Sequence, residues 1–328
     1  MKFKNLSLLF FSIIILLLLI EIILRTTGSE PRKINNFTLN EPLTNTPDDV
    51  LGWSPKVGHH KFNPWSQDGK TTYLTIQEDK SRFTGSKNIN KKIVFIGGSV
   101  TLGWAVSDHE TFTSIIQNKT NNYKVLNYGA GGYGGYQSLL WLEKIFKNNN
   151  EIKLVIYGYI PHHEVRNVAA GSWMYLLSYF STRGFVKVPY ASIDKNNNLI
   201  KNKPIEYINL PFGDKSALIA KLEKRIMKLK SYSREKKKFE ISKAIINEMV
   251  KISEKNNSKF KLLILENLTD SKLKKYSKFV KENNISMINC RAPQGEGYYV
   301  KGDGHPSYLA HQKIANCIYE KVEILNSK

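Results

Sequence analysis

The feature of this sequence that most restricts its fold is an alternation of short apolar runs with helix-like segments, which begins at Lys91. The first run, 93–96, lies between lysines and a pair of glycines, as in a strand buried on both faces of a parallel sheet. Further strands are predicted at 124–127, 153–160, 261–265 and 286–289, and helices at 110–118, 136–147, 216–256, 271–283 and 308–325. This alternation predicts an α/β fold of three layers, in which helices cover both faces of a parallel sheet.

The N-terminus contains an apolar run, 6–24, in which Glu21 is the one charged residue. About 20 apolar residues, at about 1.5 Å each, span the hydrocarbon core of a bilayer. A cleaved signal peptide is the alternative, but its apolar region is shorter and ends at a small-residue site, which the sequence after this run lacks. Residues 1–27 are therefore predicted to be a single transmembrane anchor. The lysines before the run favour a cytoplasmic N-terminus, with the rest of the chain extracytoplasmic, in the periplasm or at the cell surface.

The remainder divides into two predicted parts. Residues 28–90 show little periodicity and are interpreted as a linker and an irregular lead-in. Residues 91–328 form the main domain. Within it, the stretch at about 168–214 interrupts the alternation of strands and helices, and its many aromatic residues suggest an insertion near the active face.

Composition limits the possible partners. The chain has 49 Lys and Arg against 28 Asp and Glu, a net charge of +21, but the lysines are dispersed and no nucleic-acid motif accompanies them. No nucleic-acid partner is expected. The densest basic block, 228–238, is interpreted as a solvated helix face, with a surface for anionic lipid or glycan as the alternative. Cys290 and Cys317 fit two small buried core residues better than a disulfide pair, although pairing stays open.

Two glycine-rich loops follow the first two predicted strands, at the sheet edge where ligands of open α/β folds gather. The first places Ser99 on a Gly-Gly turn before a helix, which exposes the hydroxyl and directs backbone N–H groups at a bound anion. A serine cap on an ordinary turn is the alternative. The second loop, 127–137, contains five glycines between Asn127 and Gln137. Its uncovered N–H groups suit an oxyanion hole, and it lacks the pattern of a phosphate-binding loop.

Asp303 and His305 lie two residues apart on a turn before the last predicted helix. A carboxylate at this spacing can orient an imidazole, and the imidazole can then take a proton from a serine. The isolated pair is a weak signal, since a lone histidine is more often structural. Its position after the serine turn and the glycine-rich loop favours a Ser-His-Asp site.

Together these blocks resemble the SGNH (GDSL-like) hydrolase superfamily over about 91–325. The similarity lies in the Gly-Ser turn, the N-x-G-x-x-G loop and the C-terminal D-G-H-P-S-x-x-x-H-Q-x-I-A. It implies a flavodoxin-like arrangement, with Ser99 as nucleophile and Asp303 and His305 as its acid–base partners. It also implies that backbone N–H groups of Ser99 and Gly132 form an oxyanion hole. No cofactor and no metal are expected.

The sequence departs from the family pattern at three places. Gly98 stands where the family usually has Asp, and the acid precedes the histidine by two residues where many members have three. The third block, Gly-x-Asn-Asp, normally supplies an oxyanion donor through its Asn, and no Asn follows the strand at 153–160. His162 takes that position, and an imidazole N–H can donate as an amide does. His163 is the alternative, and in a third interpretation neither histidine faces the site.

These residues predict a serine esterase that acts on O-acyl groups, chiefly O-acetyl groups of envelope or extracellular glycans, through an acyl-enzyme on Ser99. An O-acyltransferase with the same triad, which moves the acyl group onto a glycan, is the first alternative. The second is a non-catalytic glycan- or lipid-binding protein on a degenerate scaffold. The sequence leaves the natural ester and the oligomeric state open.

Overall fold

A five-stranded parallel sheet lies at the centre of the larger of two units into which the chain divides. The computed structural model describes residues 2–33, 44–63, 70–85, 87–180 and 186–326. Its strands are β1 (Asn45–Asp48), β2 (Gly52–Pro55), β3 (Gly58–Phe62), β4 (Thr72–Ile76), β5 (Lys92–Gly97), β6 (Lys124–Gly129), β7 (Ile152–Tyr159), β8 (Val188–Ile193), β9 (Leu199–Ile205), β10 (Lys259–Ile264) and β11 (Ser286–Asn289). Its α-helices are α1 (Lys2–Thr26), α2 (Ser99–Leu102), α3 (Phe112–Lys119), α4 (Gly135–Asn148), α5 (His163–Asn167), α6 (Gly171–Phe180), α7 (Ala217–Lys236), α8 (Lys238–Lys255), α9 (Asp270–Glu282), α10 (Tyr308–Lys321) and α11 (Glu323–Asn326).

The strand order of the sheet is β11-β10-β7-β5-β6, and every neighbouring pair is parallel. Alternate side chains of β5 and β7, such as Phe95 and Ile156, pack with α3 and α10 in one buried cluster. Their neighbours along the strand point to the opposite face, where α4 and α8 lie against the sheet. The prediction of a three-layer α/β fold with a parallel sheet is confirmed.

The two units are interleaved in sequence. The larger comprises Thr38–Ala169, Lys187–Ile205 and Arg234–Lys328, and the smaller comprises Met1–Phe37, Ala170–Val186 and Glu206–Ser233. The stretch expected to be an insertion, 168–214, therefore contributes to both. Its Trp173 is buried, whereas Phe185 and the side chains of Tyr179 and Phe180 lie outside the described residues.

Two parts of the secondary structure differ from the sequence-based expectation. The lead-in, expected to be irregular, contains two antiparallel hairpins, β1–β2 and β3–β4. The single helix expected at 216–256 is two helices that meet at Lys237, so that prediction is wrong. The Lys237 N–H donates to the carbonyl of Arg234, three residues earlier in the chain (3.0 Å), and not to the carbonyl four residues earlier as in an α-helix. One helix of that length would measure about 60 Å, twice the diameter of a small domain, and no proline or glycine marks the break.

Helix α1 contains a stretch, Asn5–Thr26, whose most apolar window has a mean hydropathy of 3.0 and is not buried. By length and composition this stretch is long and apolar enough to cross a membrane. It is the one such helix found in the described part of the chain.

The two cysteines form a disulfide. Cys290, just after β11, is bonded to Cys317 in α10, 27 residues later. The expectation of two free core cysteines is therefore wrong. Both side chains belong to the cluster under the sheet, and spacing along the chain could not show that α10 returns to the end of β11.

We predict that Cys317→Ser lowers the free energy of unfolding by about 3–4 kcal/mol, because the cross-link no longer restricts a loop of this length in the unfolded chain. Denaturant titration of the full chain in detergent measures the change. Reductant should destabilise the wild type to the level of the variant and leave Cys290→Ser/Cys317→Ser unaffected. A wild type insensitive to reductant, with a variant of equal stability, would contradict the prediction.

Candidate active site

The turn between β5 and α2 places Ser99 at the carboxyl edge of the sheet. β5 lies between β7 and β6, so the turn opens between the ends of two neighbouring strands. Space at Gly97 admits only glycine, because a Cβ there would lie 2.2 Å from Thr101 Oγ1 and 2.8 Å from the carbonyl of Gly158. α2 begins at Ser99 itself, and the serine is 7% exposed.

Ser99, His305 and Asp303 are joined by hydrogen bonds in a continuous chain. His305 Nε2 lies 2.8 Å from Ser99 Oγ, and His305 Nδ1 lies 2.5 Å from Asp303 Oδ1. The side chain of Asp303 is fully buried, whereas that of His305 is 28% exposed. The imidazole therefore lies between a buried carboxylate and a serine hydroxyl, which is the arrangement required for a base-activated nucleophile.

The loop that carries Asp303 and His305 is closed by its own backbone. Val300 N–H donates to the carbonyl of His305 (2.9 Å), and Gly304 N–H donates to the carbonyl of Val300 (2.8 Å). Gly304 has φ 83°, a conformation that favours glycine. Within this turn the His305 N–H donates to Asp303 Oδ1 (3.0 Å), so the same carboxylate oxygen holds both the backbone and the ring.

Asp303 is held in its ionised form. Burial by itself raises the pKa of this carboxyl, but hydrogen bonds from His305 and Trp104 and the charge of the imidazole outweigh it and leave the pKa below its usual value. A carboxylate, not a carboxylic acid, therefore faces Nδ1 of His305 at neutral pH.

The glycine-rich loop, 127–137, runs alongside the turn that carries Ser99. Ala130 N–H donates to the carbonyl of Gly97 (3.1 Å), and Tyr133 N–H donates back to the carbonyl of Ala130 (3.3 Å). This β-turn places Gly132 at φ 77°, as a type II turn requires at its third position. Gly132 therefore lies on a tight turn beside the Ser99 loop.

The first hairpin braces the same loop. Trp53 Nε1 donates to the carbonyl of Gly131 (2.9 Å), and the Tyr133 hydroxyl donates to the carbonyl of Trp53 (2.5 Å). Gln137 Nε2 donates to the carbonyl of Leu51 (2.8 Å). Gln137, the last residue of the glycine-rich loop, thus bonds this loop to the β1–β2 hairpin.

The two histidines after β7 have different surroundings. His162 is exposed, whereas His163 is fully buried, with Nδ1 2.7 Å from the Tyr157 hydroxyl. Nε2 of His163 has no hydrogen-bond partner among the described residues. It lies 2.8 Å from the position that a Cβ on Gly98 would occupy. Burial, with the charges of Arg166 and His162, holds the pKa of His163 well below its usual value, so the ring is neutral.

Arg82 is a residue of the site that the sequence did not indicate. Its guanidinium is fully buried and donates to the carbonyls of Leu102 (2.8 Å) and Gly103 (2.6 Å), at the end of α2. It also donates to the carbonyls of Tyr73 (3.1 Å) and Val106 (2.7 Å) and, through Nε, to Asp108 (2.9 Å). A single arginine in an irregular segment carries no sequence pattern by which this role could be found.

Arg166 and Glu266 also lie beside the predicted residues. Arg166 Nη1 donates to the carbonyl of Tyr133 (3.0 Å). Glu266 follows β10 at the same edge of the sheet; burial raises its pKa, and the charges of His162, His305 and Arg166 oppose that rise. Neither residue belongs to a motif quoted above. In the described part of the chain, no three His, Cys, Asp or Glu side chains gather as metal ligands.

No family model and no curated protein matches the sequence. The structure is similar to solved structures that include a member of the lipolytic G-D-S-L family from Veillonella parvula, with 11% identity over 71% of this chain and 98% of that one (TM-score 0.41). A protein from Bacillus subtilis shares 11% identity over 84% of this chain and 68% of that one (TM-score 0.40). A carbohydrate esterase, described as having catalytic and non-catalytic binding functions at its active site, shares 11% over 75% and 68% (TM-score 0.38). Similarity this low leaves the function to be inferred from the geometry of the site.

We predict that Arg82→Lys lowers the free energy of unfolding by about 3–5 kcal/mol, because an ammonium cannot satisfy the five acceptors that surround the guanidinium and Asp108 loses its buried partner. Thermal and denaturant unfolding measure the loss. Arg291→Lys, at an exposed position, is the matched control and should stay within about 0.5 kcal/mol of the wild type. An Arg82→Lys protein as stable as this control would refute the role given to Arg82.

Proposed function

We propose that this chain is a serine esterase that forms an acyl-enzyme on Ser99. The observation that carries the proposal is the continuous hydrogen-bonded chain from Ser99 through His305 to Asp303. A structural serine has no need of a histidine that is itself oriented by a buried carboxylate. The same chain argues against a purely binding role for the site.

The reaction proceeds in two halves. Ser99 Oγ attacks the carbonyl carbon of the ester while its proton passes to His305 Nε2, and the tetrahedral intermediate then expels the alcohol, which takes that proton. Water attacks the acyl-enzyme by the same route: its proton passes to Nε2, the bond between the acyl carbon and Ser99 Oγ breaks, Oγ regains the proton, and the carboxylic acid is released. Asp303 keeps Nδ1 protonated and stabilises the imidazolium at each stage.

Backbone donors for the oxyanion come from two loops. The Ser99 N–H belongs to the first residue of α2, where an amide has no acceptor within its own helix. The Gly132 N–H lies on the type II turn beside it. Fixed donors of this kind stabilise the negative charge that develops on the carbonyl oxygen in the transition state.

We assign the third oxyanion donor to His163. The comparison with the family motif favours His162 instead. If the Tyr157 hydroxyl donates to Nδ1, a neutral His163 carries its proton on Nε2. That N–H is buried, lies beside Gly98 and has no acceptor among the described residues. A buried donor left without a partner calls for a functional explanation, and an oxyanion beside Ser99 would supply the acceptor.

The proposed location is the extracytoplasmic side of a membrane, with α1 as a single-pass anchor. The apolar length of α1 supports the anchor. The Cys290–Cys317 disulfide supports the compartment, because structural disulfides persist in oxidising environments and are rare in the cytosol. The proposed substrates, O-acetyl groups of envelope or extracellular glycans, rest on this location.

We predict that Ser99→Ala lowers kcat for a chromogenic acetyl ester by at least about 10⁴-fold, because no nucleophile remains. Ser286→Ala, at the amino end of β11, is the matched control and should keep the wild-type rate. Equal rates for wild type and Ser99→Ala would overturn the esterase proposal. Addition of an oligosaccharide separates the two acyl-transfer reactions: release of acetate marks hydrolysis, and acetyl groups on the sugar mark transfer.

We predict that His163→Phe lowers kcat by about 10²–10³-fold with little change in KM, since loss of one oxyanion donor costs about 3–4 kcal/mol in the transition state alone. His162→Phe serves as the comparison and should change kcat less than tenfold. The opposite order of the two variants would return the donor role to His162. Circular dichroism of both proteins confirms that each remains folded.

A further inference from the structure

Helix α7 carries an exposed apolar row that the proposed chemistry does not use. Leu222, Leu229 and Tyr232 are 49%, 64% and 53% exposed, and their spacing places them on one side of the helix. The opposite side is buried through Ala217, Ala220, Glu223, Met227 and Ser231. An apolar row along the outside of a helix indicates an interaction surface.

Basic side chains flank this row. α7 contains seven Lys and Arg and two acids, and Lys221, Arg225 and Lys228 are exposed. One of the acids, Glu223, is buried and paired with Arg32 (3.4 Å), so the outward charge is strongly positive. Apolar residues between cations on one helix face are typical of a helix that lies in the interface of an anionic membrane.

The start of α7 is bonded to the end of the apolar helix. The Glu21 carboxylate of α1 accepts hydrogen bonds from the Ala217 N–H (2.8 Å), the Leu218 N–H (2.9 Å) and the Ser216 hydroxyl (2.8 Å). Glu21 is five residues before the end of α1, a rise of about 8 Å. A membrane that contains α1 therefore has its surface at the level of the first turn of α7.

A second connection holds α7 near that level. Arg32 lies six residues beyond the end of α1 and pairs with Glu223 in the second turn of α7. Its backbone N–H donates to the carbonyl of Gly213 (2.8 Å), and its Nη2 donates to Asn209 (2.9 Å). The short segment after α1 thus fixes the buried side of α7, and the apolar row remains on the outside.

A cavity of about 510 Å³ lies beside these connections. Its charged lining is Lys221, Lys224 and the ion pair Lys33–Glu30 (2.6 Å), a net positive set, and its apolar walls include Tyr175 and Leu176. This combination suits a phosphate group attached to a hydrocarbon chain. Anionic phospholipid is the one partner whose chemistry fits the cations, the apolar row and the adjoining membrane helix together.

We propose that α7 lies in the membrane interface, with Leu222 and Leu229 against the acyl chains and its lysines on the headgroups of anionic phospholipids. The inference rests on the proposed membrane anchor and is independent of the esterase chemistry. It makes α7 a second attachment to the bilayer beside α1.

The test uses the full chain with a nitroxide on one introduced cysteine, since the native cysteines are bonded to each other. Leu222→Cys and Leu229→Cys are placed in vesicles of phosphatidylcholine with phosphatidylglycerol, and collisions with oxygen and with an aqueous nickel complex are measured. Ile15→Cys in α1 is the membrane reference. Lys278→Cys on α9, whose native side chain is 77% exposed, is the aqueous reference.

Both α7 labels are expected to collide more often with oxygen and less often with nickel than the label at position 278. This difference should shrink in vesicles of phosphatidylcholine alone, and also when the double substitution Lys221→Glu/Lys228→Glu is added to the labelled protein. Position 229 decides the orientation, because a helix standing away from the membrane would protect only position 222. Nickel access at 229 equal to that at 278 overturns the proposal, as does dipolar broadening that shows a second copy on the row. Frequent nickel collisions at position 15 would instead refute the membrane anchor. Hydrolysis of the acetyl ester in the same vesicles tests the esterase proposal separately.

Discussion

The buried guanidinium of Arg82 is the interaction on which the geometry around Ser99 depends. Its five N–H donors meet four carbonyls and one carboxylate, and these acceptors come from β4, the end of α2 and the loop after it. α2 is a helix of one turn, too short to be stable by its own hydrogen bonds. The cation satisfies the carbonyls that such a helix leaves open, and it attaches the nucleophile turn to a hairpin distant in sequence.

The absence of a side chain at position 98 and the position of His163 are physically linked. His163 fills the space that a side chain at position 98 would require, with Nε2 2.8 Å from the Cβ position of Gly98. The carbonyl of Tyr133 lies 3.1 Å from the same point. A side chain at position 98 would therefore require the His163 ring and the loop at Tyr133 to shift, so the arrangement of the buried imidazole depends on the glycine.

Charge and burial divide the site into a fixed and an accessible part. Asp303 and His163 are buried and keep one protonation state across the neutral range, as the directions of their pKa shifts indicate. His305 is partly exposed and touches both the carboxylate and the serine. In the proposed reaction His305 receives the proton of Ser99, because its ring is hydrogen-bonded to the serine on one side and to the carboxylate on the other.

Local patterns in the sequence determined the layers of the fold and the order of its strands and helices, because buried strands and amphipathic helices leave periodicities that are visible along the chain. They also placed Ser99 directly after a strand and Asp303 and His305 on the turn before the last helix, and the carboxyl edge of a parallel sheet brings such distant loops together. Tertiary structure alone decided the rest. It showed which of two adjacent histidines is buried beside Gly98, paired Cys290 with Cys317, and surrounded Arg82 with five acceptors. It also separated α7 from α8 and bonded Glu21 to the start of α7. Apart from the break between α7 and α8, each of these depends on contacts between residues far apart in the chain, for which no local pattern exists.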